Sequence, residues 1–521
     1  MTRTTQLRAA IVVLSLLAIL GAGRLAAQSR QAAAPEYKEL VAASQMTDPA
    51  LRLREFERIL AAYPNTRYKE VIEANILDAK VALATTLDEL VALQRGFMTS
   101  AQGPARLQRP MAMAVQLLNH PRLESFDHTR VLDLTLAYRG AAIEAAADPA
   151  SFEGVPEDQR AFLKSFVLNA IELLTARAFL SAGDTDKAMA SIEAYKKSGG
   201  ATGGNYYYVL AGILESTGKV AEAADAYLAA ATENYLDAEA KARALYIKLH
   251  GSANGFEAAR EAKLKALPFH PEPFRAPASW KGKTVLAELF TGSECPPCVG
   301  ADIAFDGLVE TIPSKYLAVL VYHLPIPRPD PMMNAATALR AGAYAVTSTP
   351  TVVIDGTEKS LGGGGRGAAE AKYRQYRGTI EPLLAAEPSV VLKASALIVK
   401  DTVRVSYDLG KVRAGTEYLL VLVQDEQYHQ GSNGILFHKM AVRDLAVVDP
   451  AAPRTAVFDL VFSEKAADAY LTEFAKTYTG IPDFKWPIRR HVLPRKGLRA
   501  VLFAQDKASG RVLNAVVAEA R

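Results

Sequence analysis

The stretch Lys283-Thr-Val-Leu-Ala-Glu-Leu-Phe-Thr-Gly-Ser-Glu-Cys-Pro-Pro-Cys298 decides how this chain is read. It holds the only two cysteines among 521 residues. A disulfide between cysteines this close would close too short a loop to restrain much chain entropy, so chemistry is expected of the pair in place of stapling. The apolar run Lys283–Phe290 predicts a strand, and the spaced apolar residues of Val299–Glu310 predict a helix. Cys295 then falls at a strand-to-helix turn, where unpaired backbone N–H groups and the helix dipole favour a thiolate. Pro296 and Pro297 suit a first helical turn, because no N–H donor is needed there. Cys295 is the expected reactive thiol and Cys298, one turn deeper, the resolving one.

About fifty residues on, Ser348-Thr-Pro350 precedes the strand-like Thr351-Val-Val-Ile354 and the turn signal Asp355-Gly356. With these two motifs, roughly residues 273–385 resemble the thioredoxin superfamily. The resemblance implies a thioredoxin-like α/β domain, a cis bond before Pro350 facing the cysteines, and a substrate segment held by the backbone of Thr349. It also implies a buried acid before the CxxC pair that manages the proton of the resolving cysteine. Glu288 fills that role if the loop Thr291-Gly-Ser-Glu294 is one residue longer than usual. From the residues themselves, Glu288 reads equally as a strand residue facing solvent.

His323 closes the strand-like run Leu317–His323 ahead of the proline-spaced loop Leu324–Pro331. Carboxyl ends of parallel strands carry sites, which puts His323 within range of the cysteines. Copper-delivery relatives of thioredoxin use two cysteines and such a histidine, but with CxxxC spacing. The expectation here is a structural histidine and no metal. His429 and His438 carry no HExxH or acidic cluster and are expected to be solvated or capping; no GxSxG element is present.

Residues 35–265 are rich in Ala, Leu, Glu, Lys and Arg and predict helices. Ala176, Phe179, Gly183, Ala188, Ile192 and Tyr195 recur 35 residues later as Ala211, Leu214, Gly218, Ala223, Tyr227 and Ala230. These segments resemble tetratricopeptide repeats, which implies a helical solenoid with a concave face for peptides or partner proteins; a supporting helical bundle is the alternative. Pro268–Pro277 reads as an extended, semi-rigid linker. Gly362–Gly365 reads as a flexible hairpin or loop, without the Lys-Ser/Thr of a phosphate-binding loop.

Residues 388–521 hold strand-like runs at Val390–Val399, Thr402–Tyr407, Tyr418–Val423, Ala456–Phe462, Leu498–Phe503 and Val512–Val517. They predict a C-terminal antiparallel β-sandwich. A thioredoxin-like domain followed by a sandwich is similar to a family of secreted bacterial proteins, some labelled as outer membrane proteins. The fold class expected is therefore multidomain, α then α/β then β.

Arg3 and Arg8 precede the uncharged run Ala9–Gly23 and small residues near Ala27, the pattern of a signal peptide over residues 1–27. The run is short for a membrane span, so an extracytoplasmic, periplasmic or secreted, location is expected. A net charge of +4 gives no nucleic-acid surface. The function these readings favour is thiol–disulfide exchange on protein cysteines, with Cys295, Cys298, Pro350 and Glu288 in the catalytic set and Thr349 binding substrate. No cofactor is expected beyond the Cys295–Cys298 pair, and the partners are protein thiols or disulfides and a redox partner protein. The alternatives are an interaction scaffold built on the repeats and sandwich, with an inert redox fold, and a copper-binding protein.

Overall fold

The computed structural model describes residues 35–521 except 45, 201, 482 and 483, so the expected signal segment lies outside the described residues. The chain is multidomain α plus β and forms two compact units, divided between Phe256 and Glu257. No helix among the described residues is long and apolar enough to cross a membrane.

The first unit is helical throughout, from Pro35–Ser44 to Ala238–His250. Many helix starts are capped as the sequence dictates: Asp48, Thr86, Asp127 and Asp184 each accept backbone N–H groups of the following first turn. The 35-residue repeat has a structural counterpart in two helix pairs, Glu157–Ser181 with Thr185–Lys197 and Gly204–Ser216 with Val220–Ala231. Gly183 and Gly218 turn the chain at φ 82° and 78°. In the residue that follows each, the N–H reaches back to the carbonyl of Phe179 or Leu214, 2.9 Å away in both. This is the same left-handed helix ending, repeated at the same offset. Ala176, Ala188 and Ile192, like Ala211, Ala223 and Tyr227, are buried where the helices meet.

The second unit is built on one eight-stranded sheet. Its strands are β1 (Val285–Thr291), β2 (Leu317–His323), β3 (Thr351–Ile354), β4 (Glu358–Leu361), β7 (Thr416–Tyr428), β8 (Phe437–Val448), β10 (Leu498–Asp506) and β11 (Val512–Glu519), in the order β11-β10-β7-β8-β2-β1-β3-β4. β1 and β2 are parallel, β3 and β4 run antiparallel to their neighbours, and β8 joins β2 in parallel at Val321 and Ala441. A smaller sheet of β5 (Lys393–Val399), β6 (Thr402–Asp408) and β9 (Thr455–Asp459) packs against β7 and β10.

The boundary expected between residues 385 and 388 is therefore corrected: strands read as a separate sandwich extend the sheet that carries the cysteines. The physical reason is β2, apolar from Leu317 to Tyr322 and buried on both faces, whose second edge needs a partner and finds β8. Alternation along β7 and β10 does the rest. Leu419, Val421, Val423, Val501 and Phe503 join the core of β1 and β2, while Leu420, Leu422, Ala500 and Leu502 face the small sheet. The run expected as a strand over Ala456–Phe462 ends at Asp459, which caps the helix Leu460–Thr477. The expected linker Pro268–Pro277 is docked: Phe269 is buried against Tyr373, Phe274 meets Tyr316, and Arg377 donates to the carbonyls of Glu272 and Pro273.

Glu288 sits in the middle of β1 with no exposed surface. Arg340, from the helix Ala335–Ala343, donates to it twice, at 2.7 and 2.9 Å, and the hydroxyls of Tyr322 and Tyr344 donate at 3.0 and 2.6 Å. Arg340 also donates to Gln505 of β10 at 2.7 Å. Removing one member of such a pair strands a buried charge. Arg340→Met is expected to destabilise this unit by about 3–5 kcal/mol, and the double variant with Glu288→Gln by clearly less. Urea unfolding followed by tryptophan fluorescence checks this, since both tryptophans, Trp280 and Trp486, lie in the second unit.

Candidate redox site

β1 ends at Thr291, and the loop Gly292–Glu294 leads to Cys295 in an extended conformation, followed by the 3₁₀ turn Pro296–Cys298 and the helix Val299–Thr311. The two prolines occupy the first positions of the turn and are exposed, whereas both cysteines are fully buried. Cys295 and Cys298 are joined as a disulfide, and the N–H of Cys298 donates to the carbonyl of Cys295 at 3.0 Å.

The Thr349–Pro350 peptide bond is cis, and Pro350 is buried just before β3. The Thr349 hydroxyl lies 3.3 Å from the Cys295 sulfur and 2.8 Å from the carbonyl of Ile326. Thr349 and the cysteine pair, expected to meet, are thus brought together. Glu288 is not brought to them. Thr291 points to the helix Val299–Thr311, where its hydroxyl donates to Asp302 at 2.9 Å. Glu288, three residues earlier in a strand, points to the opposite face of the sheet. Its carboxylate is occupied there by Arg340, and this placement gives no support to the proton-handling role expected of it.

Three features of the site lay outside the sequence reading. The glycine run expected to be a flexible loop wraps the CPPC turn. The N–H of Gly364 donates to the carbonyl of Pro297 at 2.7 Å, and the N–H of Gly300 donates to the carbonyl of Gly364 at 2.7 Å. A Cβ on Gly363 would stand 2.1 Å from the Pro297 oxygen and 2.8 Å from Pro350 Cγ, so only glycine lets the two turns approach. The second feature is the connection between β7 and β8. Asn433 donates from its backbone to Ser293 at 3.1 Å, and a Cβ on the buried Gly431 would lie 2.2 Å from the Ser293 oxygen.

The third is a buried polar cluster. Asp330 accepts from Ser293 N–H at 2.6 Å, Met332 N–H at 2.8 Å and His323 Nδ1 at 3.0 Å. Burial opposes its ionisation, but His323 and the two N–H groups outweigh burial and hold the carboxyl well below the usual range. The rings of His323 and His438 meet edge to face at 5.1 Å, and His438 Nε2 lies 3.0 Å from the carbonyl of His429. His429 and His438, expected to be solvated or capping, are buried, because pairing β8 with β2 turns His438 toward His323. Burial, reinforced by His323, pushes His438 down to about 3. Among the described residues no group of three His, Cys, Asp or Glu side chains is arranged to hold a metal ion.

No protein-family model, curated protein or solved structure matches this chain.

Gly363→Ala is expected to cost about 1–3 kcal/mol and to speed reduction of the disulfide by dithiothreitol, by forcing the Gly364 bonds away from the turn. Gly378→Ala, with none of the described residues within 4 Å of its Cβ position, serves as the control in both measurements. A second expectation concerns pH. His438 is neutral when folded but takes a proton near pH 6.5 when unfolded, so its contribution is complete above that value and lost as pH falls toward 3. The contribution is at most about 5 kcal/mol. His438→Gln should therefore gain stability relative to wild type between pH 6.5 and 3, read as the difference in urea midpoints at each pH.

Proposed function

We propose that this protein is a thiol–disulfide oxidoreductase acting on protein cysteines, and that residues 273–385 form a thioredoxin-like unit within the larger sheet. The observation that carries the reading is the Thr349 hydroxyl 3.3 Å from the sulfur of Cys295, in a disulfide at the start of a helix. The order β2-β1-β3-β4, with helices after β1, β2 and β4, supports the thioredoxin-like assignment. The repeated helix endings of the first unit support tetratricopeptide-like repeats there, and with them a face for a peptide or protein partner. The leader pattern at residues 1–27 favours action outside the cytoplasm, where such a pair is maintained by partners rather than by bulk thiols.

In this scheme a substrate thiolate attacks the Cys295 sulfur, forming a mixed disulfide as the Cys295–Cys298 bond breaks and Cys298 leaves as thiolate. A second substrate thiolate then attacks the substrate sulfur and releases Cys295. The substrate dithiol loses two electrons and two protons, and the protein pair gains them. The reverse sequence reduces a substrate disulfide, with Cys298 resolving the intermediate. Thr349 and Pro350 align the substrate strand beside Cys295. The helix start lowers the cost of the thiolate.

Cys298→Ser should accumulate mixed disulfides with protein thiols through Cys295, seen on non-reducing gels and by mass spectrometry, whereas Cys295→Ser should not. A glutathione titration of the wild-type pair should give a potential between about −270 and −120 mV. A value below about −300 mV would mark a structural disulfide and favour the scaffold reading instead.

A further inference from the structure

Asp302 lies four residues after Cys298 on the helix Val299–Thr311, whose residues are otherwise mostly apolar. Cys298 itself has helical φ and ψ of −79° and −23°, so the two side chains share a face with Cβ atoms about 5–6 Å apart. Helical side chains lean toward the N-terminus, which tilts Asp302 back toward Cys298. The Thr291 hydroxyl fixes one carboxyl oxygen at 2.9 Å. Beyond Asp302 is a cavity of about 10 Å³, room for one water, lined also by Asp306, His323, His438 and Lys439. His323 is 2% exposed, and its Nε2 is buried with no hydrogen-bond partner among the described residues.

We propose that Asp302 takes and returns the proton of Cys298, and that His323, through one water in this cavity, shares that proton. The inference rests on the exchange reading above. When Cys298 resolves a mixed disulfide, its S–H proton passes to Asp302, and the thiolate attacks Cys295 to form the disulfide and expel the substrate thiolate. In the reverse direction Cys298 leaves as thiolate and takes the proton back. His323 is suited to hold the shared proton because its Nδ1 faces Asp330, and Asp330 in turn holds the N–H of Ser293 before Cys295. The chain of contacts thus joins the residues on both sides of the CPPC turn.

The charged groups facing Asp302 agree with this role. Burial pushes its carboxyl well above the usual range, opposed by the Thr291 hydroxyl and reinforced by Asp306 and Asp330. Burial likewise raises Asp306 to about 7, with Lys439 of β8 opposing it and Glu310 reinforcing it. His438, also facing the cavity, stays neutral.

The test uses the full chain with Cys295→Ser, in which Cys298 is the single cysteine and its carbon-13 labelled Cβ gives one NMR signal. From about pH 5 to about pH 10 that signal should titrate in two steps, because a thiol and a carboxyl this close are coupled. Asp302→Asn should remove the lower step and raise the thiolate-to-thiol ratio at a given pH by about tenfold. Thr291→Val, which leaves the carboxyl in place but removes its donor, should move the lower step upward in pH. His323→Gln should also displace the lower step. In the two-cysteine protein, Asp302→Asn should slow reduction by dithiothreitol at pH 7 by tenfold or more. If wild type exchanges with dithiothreitol but the Cys298 profile is the same with and without Asp302, this inference alone fails. If wild type does not exchange at all, the exchange reading fails with it.

Discussion

An ionised carboxylate in the middle of a strand buried on both faces needs a counter-charge, and Glu288 obtains one from Arg340. Arg340 also reaches Gln505 in β10, so one ion pair ties β1, the helix Ala335–Ala343 and the far part of the sheet together. Its side chain stacks over Tyr344 and Phe503 as well. A pair of this kind contributes little net stability compared with apolar packing, but it penalises any arrangement that separates its members. That penalty fits a sheet in which β7, β8, β10 and β11 join the cysteine-bearing strands instead of folding apart. The buried Lys283–Asp355 pair acts similarly at the other end of β1, where Lys283 also donates to the Val512 carbonyl at the start of β11.

Because the sheet is continuous, elements from the C-terminal part complete the site. Ser293, just before Cys295, gives its N–H to Asp330 and its carbonyl to Asn433. Arg328 lies 3.8 Å from Glu294 and donates to Ser432 at 3.1 Å, closing a small polar ring over the same loop. A unit cut at residue 385 would lack Gly431 and Asn433, which pack on Ser293, and Ile435, His438 and Lys439, which form one wall of the cavity behind Asp302.

The sequence made the local elements legible where a single physical cause dominates. The CPPC turn, the strand ending before it, the Thr-Pro before β3 and the glycine-ended helix repeats each follow from backbone chemistry at named residues. Contacts set by tertiary pairing were not legible. Nothing in Leu317–His323 says that β8 will lie beside it, and so His438 read as a solvated or capping histidine. Gly362–Gly365 was legible as a turn but not as the partner of Pro297, since the need for glycine arises from a neighbour 66 residues away. The face of Glu288 depended on a one-residue choice in loop length, and parity along the strand reverses the answer. Asp302 carried a weak signal, an acid one turn past Cys298, but an acid in a first helical turn is also what the helix dipole favours, so the residue alone did not mark a site.

Full burial of both cysteines bears on how the proposed exchange would proceed. A thiolate attacks along the S–S axis, so the sulfur of Cys295 must be uncovered for part of the time. The segments around it are loops held by a few hydrogen bonds each: Thr349 to Ile326, Gly364 to Pro297 and Gly300, and Ser432 and Asn433 to the Gly292–Glu294 loop. The strands beneath them are buried on both faces. Local opening at such loops costs far less than opening the sheet. A protein substrate that adds its own extended segment beside Thr349 replaces the Thr349 and Ile326 contacts with its own, so the opening is offset by binding. A small thiol offers no such contacts. Under the proposed exchange, burial of Cys295 slows free thiols relative to a protein partner without excluding them, and the loops from β2 and from the β7–β8 connection shape the surface such a partner meets.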